Sequence, residues 1–440
     1  MMYTEHCVET NRLMNCLVER TVIVVEEFFK LSSQVKELAQ KAQEACESAF
    51  SHIDAVCEYN SLKVLSAFQE HRVSESHLLG TSGYGYGDRG RDTLDAIWAT
   101  VFGAEDALVR HSFPSGTAAI STALFGLLRP GDVMVSLSGT PYDTLHSVLG
   151  LREKNIGSLA EFGVVYRELP LLPDGRVDLK AVPQAAQGVK MAYLQRSRGY
   201  SLRPSLTVEE IGEIAALVRE ANPDAYIVVD NCYGELVERQ EPTQVGADLI
   251  IGSLIKNPGG GIARTGGYIA GRKDLIELCS HRMTAPGLGR EVGCSLEQNK
   301  NMYMGLFYAP GVVAASLKTA VFTASLFEQM GYVCSPTWGD YRTDIIQSIV
   351  LGSPEKLTAF CRGIQRGAPV DSFVYPEAWE MPGYDSKVIM AAGAFNMGAS
   401  IELSADGPMR PPYAAWMQGG LNYPTGKLGA MIAAQELLSL

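Results

Sequence analysis

Lys256 combines a nucleophilic side chain with a predicted buried position. It follows the largely apolar run from Leu249 to Ile255 and precedes a glycine-rich turn, in ADLIIGSLIKNPGGGIARTGGYIAG. Such a run is typical of a buried strand, and burial disfavours an ammonium ion, so we expect the pKa of Lys256 to be lowered. Its amine could then attack a carbonyl group on a cofactor. A lysine that extends to solvent beside a turn is the alternative.

Asp230 is the second candidate, because it ends a predicted strand in AYIVVDNCYGE, from Ala225 to Glu235. An acid at the carboxyl end of a parallel strand points into the ligand crevice of an open α/β sheet. Pyridoxal phosphate needs a carboxylate that keeps its ring nitrogen protonated and a lysine that forms an imine with its aldehyde. Asp230 and Lys256 could supply both groups. Taken alone, Asp230 is equally compatible with capping a turn.

A phosphate site is predicted where a strand passes into a helix in FPSGTAAIST, from Phe113 to Thr122. The backbone N–H groups at the helix start and the hydroxyls of Ser115 and Thr117, with Gly116 between them, could hold a phosphate dianion. Ser253 could add one more hydroxyl. Ser-Gly-Thr is also an ordinary helix N-cap, which is the alternative.

Many motifs in one order resemble a known family. They are GYGYGDRGRDTL, AEDALVR, SGT, RPGD, GTPYDT, QRSRGYSLRPSL, VDNCYGE, GSLIKNPGGG, TAPGLG, SPEKL, MPGYD and IELSADGP, from about Gly80 to the C-terminus. The chain resembles the fold-type I pyridoxal phosphate enzymes of cysteine and methionine metabolism. Within them, it is most similar to the methionine gamma-lyase-like family, also called aluminium resistance proteins. The resemblance implies a lysine-bound pyridoxal 5'-phosphate and leaves the substrate open.

The resemblance also implies residue roles. Lys256 matches the lysine that binds the cofactor and Asp230 the partner of its ring nitrogen. The phosphate contacts are matched by Ser115, Gly116, Thr117 and Ser253. In related gamma-lyases a tyrosine and an arginine of a neighbouring subunit also reach the phosphate, and Tyr86 and Arg89 are the nearest counterparts here. The expected assembly is therefore a homodimer, alone or paired into a homotetramer, with shared active sites.

The chain departs from the broader family where a tyrosine stacks on the cofactor ring in a Leu-Tyr-Gly run. It has Leu137, Ser138 and Gly139 there, and Ala118 stands where close relatives have a histidine. We expect Tyr142 to take over stacking and protonation of a leaving thiolate. Tyr84 or Tyr86 of a neighbouring chain are the alternative proton donors.

A second departure concerns the substrate carboxylate, which the broader family binds through an Arg-Leu-Ser run. This chain has Glu402 at the arginine position, and a second carboxylate would repel the substrate's. Either another arginine acts there, with Arg198, Arg264 and Arg410 as candidates, or the substrate is not a standard α-amino acid. We also place Arg198 among the cofactor-binding residues.

The elements that must position these residues alternate between strands and helices from Gly83 to about Pro286. The predicted strands lie around Ala107, Val133, Val164, Met191, Ile227, Leu249 and Tyr268. This alternation predicts an α/β fold, of the fold-type I transferase-like class, with a mainly parallel sheet in the large domain and a smaller C-terminal α/β domain. The expected domains are a helical arm at 1–82, a cofactor domain at 83–286 and a small domain at 287–440. Helical spacing from Ser33 to Gln69 supports the arm.

The composition is typical of a soluble enzyme of this size. The chain has 440 residues, 46% hydrophobic and 20% charged, and a net charge of -12, which argues against nucleic acid as a partner. Nine cysteines without a CxxC pair and seven histidines without an HExxH motif predict neither a disulfide framework nor a metal site. We expect no membrane span of about 20 apolar residues and no signal segment in the initial MMYTEHCVET, hence a cytoplasmic location.

Two glycine motifs are not interpreted as nucleotide-binding sites. Gly85, Gly87 and Gly90 satisfy GxGxxG, but no convincing strand precedes them, so a dinucleotide site is not expected. The run GLNYPTGK, at 420–427, has the wrong length for a P-loop and is interpreted as a loop.

Together these residues predict a pyridoxal phosphate-dependent carbon-sulfur lyase. It would act by β- or γ-elimination on a sulfur amino acid such as methionine, cystathionine or cysteine. Other reactions on the same cofactor, namely γ-replacement, racemisation or transamination, are the alternative among enzymes. A stress-response protein that binds pyridoxal phosphate with little catalysis is the alternative of another class.

Overall fold

The structure is a computed structural model that describes residues 27–152, 156–381 and 386–440. Residues 1–26 of the predicted arm, with the initial MMYTEHCVET, and most of the MPGYD motif, at 382–385, lie outside the described residues. Two β-sheets and eleven α-helices of four residues or more organise the part of the chain that is described.

The larger sheet has seven strands in the order β1-β7-β6-β5-β4-β2-β3. The strands are β1 (Asp106–Arg110), β2 (Val133–Ser136), β3 (Val165–Glu168), β4 (Met191–Gln195), β5 (Tyr226–Asp230), β6 (Leu249–Ser253) and β7 (Gly267–Gly271). Strand β7 runs antiparallel to both of its neighbours, β6 and β1, and the pairs from β6 to β3 are parallel. Strands β4 to β7 are buried along their whole length except Tyr226, as expected for a sheet covered on both faces.

The smaller sheet is antiparallel, with the order β10-β11-β12-β9-β8. Its strands are β8 (Val333–Ser335), β9 (Gln347–Val350), β10 (Val388–Ala391), β11 (Ser404–Pro408) and β12 (Ala414–Gln418). The helices are α1 (Ser33–Ala45), α2 (Glu47–Glu70), α3 (Arg89–Phe102), α4 (Gly116–Leu127), α5 (Asp143–Leu149), α6 (Val182–Ala185), α7 (Val208–Ala221), α8 (Lys273–Met283), α9 (Asn299–Gln329), α10 (Pro354–Arg366) and α11 (Tyr423–Leu438).

The α/β fold class predicted from the sequence is confirmed, because each of the seven predicted strand positions lies in or next to a strand of the larger sheet. The helical spacing from Ser33 to Gln69 is confirmed as α1 and α2. The boundaries proposed for the three domains stay a prediction.

One element was misassigned from the sequence. The run GLNYPTGK was predicted to be a loop, but helix α11 begins at Tyr423 within it. Asn422 caps this helix by accepting a hydrogen bond from the backbone N–H of Thr425, and Pro424 fits the first turn, where no N–H is needed. The cap and the proline together favour a helix start over a loop.

The N-terminal helix α2 is attached to the part of the chain that carries β5. The amide of Asn60, fully buried, donates hydrogen bonds to the carbonyl oxygens of Leu236 and Glu238, at 2.9 and 3.0 Å. Backbone carbonyls buried without a partner would cost free energy, so a polar side chain in an otherwise apolar helix face stabilises this contact. The helix therefore supports the segment that follows Asp230.

Helix α9 contains an apolar run that the sequence interpretation underestimated. Its length and composition suffice for a membrane span, but 78% of its apolar window is buried inside the protein. It contacts α2, α11 and the 3-10 helix at Asn257–Gly259, so the run is explained by packing in the core.

A buried acid, Glu235, gives the fold a predicted pH dependence. It is fully buried, and Tyr268 donates its hydroxyl to Oε1 at 2.9 Å. Burial raises the pKa of Glu235 from 4.5 to about 8. The folded state therefore keeps a proton that the unfolded chain loses. The stabilisation is complete below pH 4.5 and is lost as the pH rises towards 8.

We expect Glu235→Gln, which stays neutral, to remove this dependence. Between pH 5 and pH 8 the free energy of unfolding of the unaltered protein should fall by about 4 kcal/mol relative to the variant. Urea unfolding at pH 5, 6, 7 and 8 measures both proteins, with the exposed Glu277→Gln as the control. Parallel curves for Glu235→Gln and the unaltered protein would contradict the assignment.

Candidate active site

A cavity of about 220 Å³ opens at the carboxyl ends of β4, β5 and β6. The last residues of these strands, Gln195, Asp230 and Ser253, all line it. Because the strands are parallel and adjacent, their carboxyl ends meet at one edge of the sheet. The cavity also receives residues from β11 and β12, so both sheets contribute to it.

Lys256 lies three residues beyond the end of β6 and lines this cavity. Its Nζ lies 3.4 Å from the centroid of the Tyr233 ring, close enough for a cation–π contact. The backbone of Tyr233 adopts a left-handed conformation, with a φ of 71°. Its carbonyl oxygen accepts a hydrogen bond of 2.9 Å from the side-chain amide of Asn257. Asn257, which follows Lys256, thus holds the backbone of the tyrosine whose ring contacts the lysine.

The predicted lowering of the Lys256 pKa was wrong. Burial disfavours the charged amine, as expected, but Tyr233, Cys232 and Asp230 outweigh burial and place the pKa of Lys256 above its ordinary value. The strand pattern predicted burial but could not predict which neighbours the fold would bring to the amine.

Asp230 is 7% exposed and ends β5 in the cavity. Its Oδ1 accepts a hydrogen bond from the backbone N–H of Cys232 at 3.1 Å. Burial raises the pKa of Asp230, and Cys232 and Lys256 oppose that shift. A carboxylate in this position costs free energy unless a cation pairs with it.

The start of α4 forms one wall of the cavity through Ser115, Gly116 and Thr117. Ser115 is the N-cap, and its Oγ accepts from the N–H of Ala118 at 3.1 Å. A Cβ atom at Gly116 would lie 3.1 Å from Cβ of Ser253, so glycine lets the helix start approach the end of β6 without a tight contact. The helix start and Ser253 therefore lie side by side on the cavity wall, and Ser115 also caps the helix. Their role as phosphate contacts stays a prediction.

Tyr142 lines the cavity at the start of α5. Its backbone N–H donates to Oε1 of Gln195 at 2.7 Å, and its ring centroid lies 5.7 Å from that of Tyr200. Ser138, which stands in the place of the family's tyrosine, accepts a hydrogen bond from the N–H of Gln195 at 2.8 Å. Ser138 thus stabilises the end of β4. Tyr142 is the aromatic residue of this region that lines the cavity.

Several cavity residues have no role in the sequence interpretation, among them Tyr200, Tyr233 and Asp406. The hydroxyl of Tyr200 donates to Oδ2 of Asp406 at 2.6 Å. Burial raises the pKa of Asp406 to about 6. All three stand inside motifs that carry the family resemblance, QRSRGYSLRPSL, VDNCYGE and IELSADGP, and that was the available signal.

Other predicted residues lie away from the cavity. Arg198 turns to the smaller sheet and donates to the carbonyl and hydroxyl of Ser335, both at 2.9 Å. Its predicted contact with the cofactor stays a prediction that these hydrogen bonds do not support. Tyr86, 65% exposed, and Arg89 are on the protein surface, as residues directed to a second chain would be.

Glu402, at the position of the family's arginine, does not line the cavity. Its carboxylate accepts hydrogen bonds from the backbone N–H groups of Phe395 and Asn396, at 2.8 and 2.7 Å. Arg264 and Arg410 are exposed, and no arginine is found among the described residues that line the cavity. Glu402 therefore orders a loop, and the described chain offers the cavity no guanidinium.

Within the described ranges, no group of three or more acidic, histidine or cysteine side chains has the geometry of a metal site. The described cysteines are free thiols, and Cys232 lines the cavity beside Asp230.

Comparison with known proteins shows which family the chain resembles. The family described as methionine gamma-lyase matches residues 35–438. YnbB, an uncharacterized protein of Bacillus subtilis (strain 168), is 49% identical over 406 residues, which cover 92% of this chain and 96% of that protein. A crystal structure from Clostridium novyi NT, described as a carbon-sulfur lyase involved in aluminum resistance, is 46% identical. The match covers 96% of this chain and 98% of the Clostridium chain, with a TM-score of 0.89.

A more distant relative is the L-methionine gamma-lyase of Pseudomonas putida, 28% identical over 200 residues, which cover 44% of this chain and 45% of that protein. The match of the family over almost the entire chain and the identity with the Bacillus protein agree with the resemblance in motifs. The chain belongs to the methionine gamma-lyase family.

Proposed function

We propose that this protein is a pyridoxal 5'-phosphate-dependent carbon-sulfur lyase that eliminates a thiol from a sulfur amino acid. The observation that carries the proposal is the meeting of Lys256, Asp230 and the start of α4 in one cavity. A lysine, a buried acid and a helix N-terminus are the three groups that this cofactor requires. Membership of the methionine gamma-lyase family supports the reaction class.

The residues present fit the cofactor. The buried carboxylate of Asp230 would be stabilised by a protonated ring nitrogen. The close approach at Gly116 brings the N-terminus of α4 next to Ser253, and this helix start with the hydroxyls of Ser115 and Thr117 would bind the phosphate dianion. Lys256 would bind the aldehyde.

When bound, the cofactor withdraws the electrons of the carbanion formed at the substrate Cα. Asp230 would keep the ring nitrogen protonated, and this pairing would weaken one of the attractions that raise the Lys256 pKa. Once the substrate amine takes its place, the freed amine of Lys256 would accept the α-proton. Tyr142 is our candidate for protonating the leaving sulfur, because its side chain lines the cavity.

Shared active sites are part of the proposal. Tyr84 and Tyr86 are exposed and stacked, with ring centroids 5.5 Å apart, and Arg89 is exposed beside them. We infer that Tyr86 and Arg89 reach the phosphate of a neighbouring protomer in a homodimer or homotetramer. Mixing inactive Lys256→Ala and Arg89→Ala chains should then restore activity in hybrids, and no restoration would contradict shared sites.

We also propose a cytoplasmic protein whose partner is a small amino acid and neither nucleic acid nor a membrane. The free thiols at the described cysteines and the net charge of -12 support this assignment.

The experiment incubates the cofactor-loaded protein with L-methionine, L-cysteine, L-cystathionine and L-homocysteine, and measures α-keto acid and thiol. We expect both products from at least one substrate. A new thioether would instead indicate γ-replacement, and a D-amino acid would indicate racemisation. Turnover that requires an α-keto acid as amino-group acceptor would indicate transamination. A protein that retains cofactor but exchanges no α-proton in any amino acid would indicate the binding role.

The cofactor site yields a prediction at Ser253. We expect Ser253→Ala to weaken pyridoxal phosphate binding roughly tenfold or more, because a hydrogen bond to a charged phosphate is lost. Fluorescence titration of the cofactor-free protein measures the dissociation constant. The control is Ser136→Ala, whose hydroxyl donates to the carbonyl of Gly139 at 2.6 Å and does not line the cavity. Equal affinities of Ser253→Ala and the unaltered protein would exclude Ser253 as a phosphate ligand.

A further inference from the structure

The cavity has an unusual charge for an enzyme that binds amino acids. Among the described residues that line it, the charged groups are Lys256, Asp230 and Asp406. In the proposed function Lys256 and Asp230 are occupied by the cofactor. Asp406 is then the ionic group that this chain directs to the substrate.

Asp406 is positioned by β11, where it pairs in register with Trp416 of β12. It is 5% exposed, and its Oδ2 accepts the hydroxyl of Tyr200 at 2.6 Å. Its Oδ1 has no hydrogen-bond partner among the residues that the structure describes. A buried carboxylate oxygen without a partner is costly, so a cationic donor at this point would be stabilised strongly.

The surroundings of Asp406 suit an ammonium group. The rings of Tyr200 and Trp416 both line the cavity, with centroids 5.3 Å apart. Aromatic faces attract ammonium ions, whereas a carboxylate at this point would be repelled by the carboxylate of Asp406. Burial raises the pKa of Asp406 to about 6, and the hydrogen bond from Tyr200 opposes that rise, so the carboxyl group is ionised at pH 7.5.

We propose that Asp406 binds a second ammonium group of the substrate, one carried by the substituent on sulfur. The α-amino group of the substrate cannot be this partner, because in the proposed function it replaces Lys256 on the cofactor. The preferred substrate is therefore a thioether amino acid with an ammonium group beyond the sulfur. This inference rests on the proposed function and narrows its substrate class.

A matched pair of substrates tests the proposal. S-(2-aminoethyl)-L-cysteine and S-propyl-L-cysteine have the same length and differ in a terminal ammonium or methyl group. Their homocysteine counterparts serve the same comparison if elimination is at Cγ. We expect kcat/KM for the ammonium compound to exceed that for the neutral compound by roughly ten- to a hundredfold. Equal values would overturn the proposal.

The variant Asp406→Asn assigns the preference to this residue. We expect the ratio of the two kcat/KM values to fall at least about tenfold in this variant, whatever its overall rate. The control is Glu402→Gln, which changes a buried carboxyl group in the same segment that does not line the cavity. Its ratio should match that of the unaltered enzyme. If Asp406 acts only by orienting Tyr200, both substrates lose rate equally, and the proposal is wrong.

A binding measurement separates this inference from the function on which it rests. Calorimetric titration of Lys256→Ala protein, which cannot turn over, should give tighter binding of S-(2-aminoethyl)-L-cysteine than of S-propyl-L-cysteine. That difference should disappear in the Lys256→Ala, Asp406→Asn double variant. Keto acid from both substrates without a preference would overturn the Asp406 assignment alone. The absence of keto acid from any sulfur amino acid would overturn the lyase function.

Discussion

Lys256→Ala is expected to reduce α-keto acid formation by on the order of 10⁴-fold or more, the largest effect of any single substitution in this chain. The amine is asked both to hold the cofactor and to move the α-proton, so its removal eliminates a nucleophile and a general base together. The visible absorption of the cofactor-loaded protein should also change, because the lysine bond that produces it cannot form. Keto-acid assay and absorption spectroscopy measure the two effects.

The matched control is Lys273→Ala, which removes an exposed lysine at the start of α8. Its activity should lie within about twofold of the unaltered enzyme, as for other surface substitutions. Retention of more than a few per cent of activity in Lys256→Ala, with the spectrum intact, would contradict the assignment of the lysine.

Asp230→Asn is expected to lower kcat by on the order of 10³-fold at saturating cofactor. The amide keeps the Oδ1 acceptor for the N–H of Cys232 but cannot hold a ring nitrogen protonated, so folding should be spared while electron withdrawal is lost. Steady-state kinetics in saturating pyridoxal phosphate distinguish a lower kcat from weaker cofactor binding.

Asp248→Asn is the control, since Asp248 is also buried but pairs with Arg219 and Arg272 outside the cavity. It should lower the thermal midpoint of unfolding and spare kcat. An Asp230→Asn enzyme with an unchanged kcat would show that this carboxylate does not act on the ring nitrogen.

Much of the fold follows from local patterns. The strands of the larger sheet are short apolar runs bounded by turn residues, and each predicted position falls in or beside a strand. Parallel strands bring their carboxyl ends together, so placing Asp230 at the end of a strand was sufficient to predict that it faces the ligand crevice. The Ser-Gly-Thr turn was identified because a strand-to-helix junction has a local signature.

The rest depends on contacts between distant segments. Asp406 reaches the cavity from the smaller sheet, 176 residues after Asp230, and no local pattern indicates where its carboxylate points. The raised pKa of Lys256 arises from Tyr233 and Asp230, whose positions relative to the amine are set by tertiary packing. Glu402 was assumed to face the substrate by analogy, whereas the loop at Phe395 and Asn396 occupies its carboxylate.

In the proposed function, Lys256 carries pyridoxal phosphate in the described cavity. Borohydride reduction of the cofactor-loaded protein, followed by proteolysis and mass spectrometry, tests it most directly, because reduction fixes the cofactor on the amine that holds it. We expect a single modified peptide, in which the modified residue is Lys256. A modified peptide around another lysine, or none from protein saturated with cofactor, would contradict it.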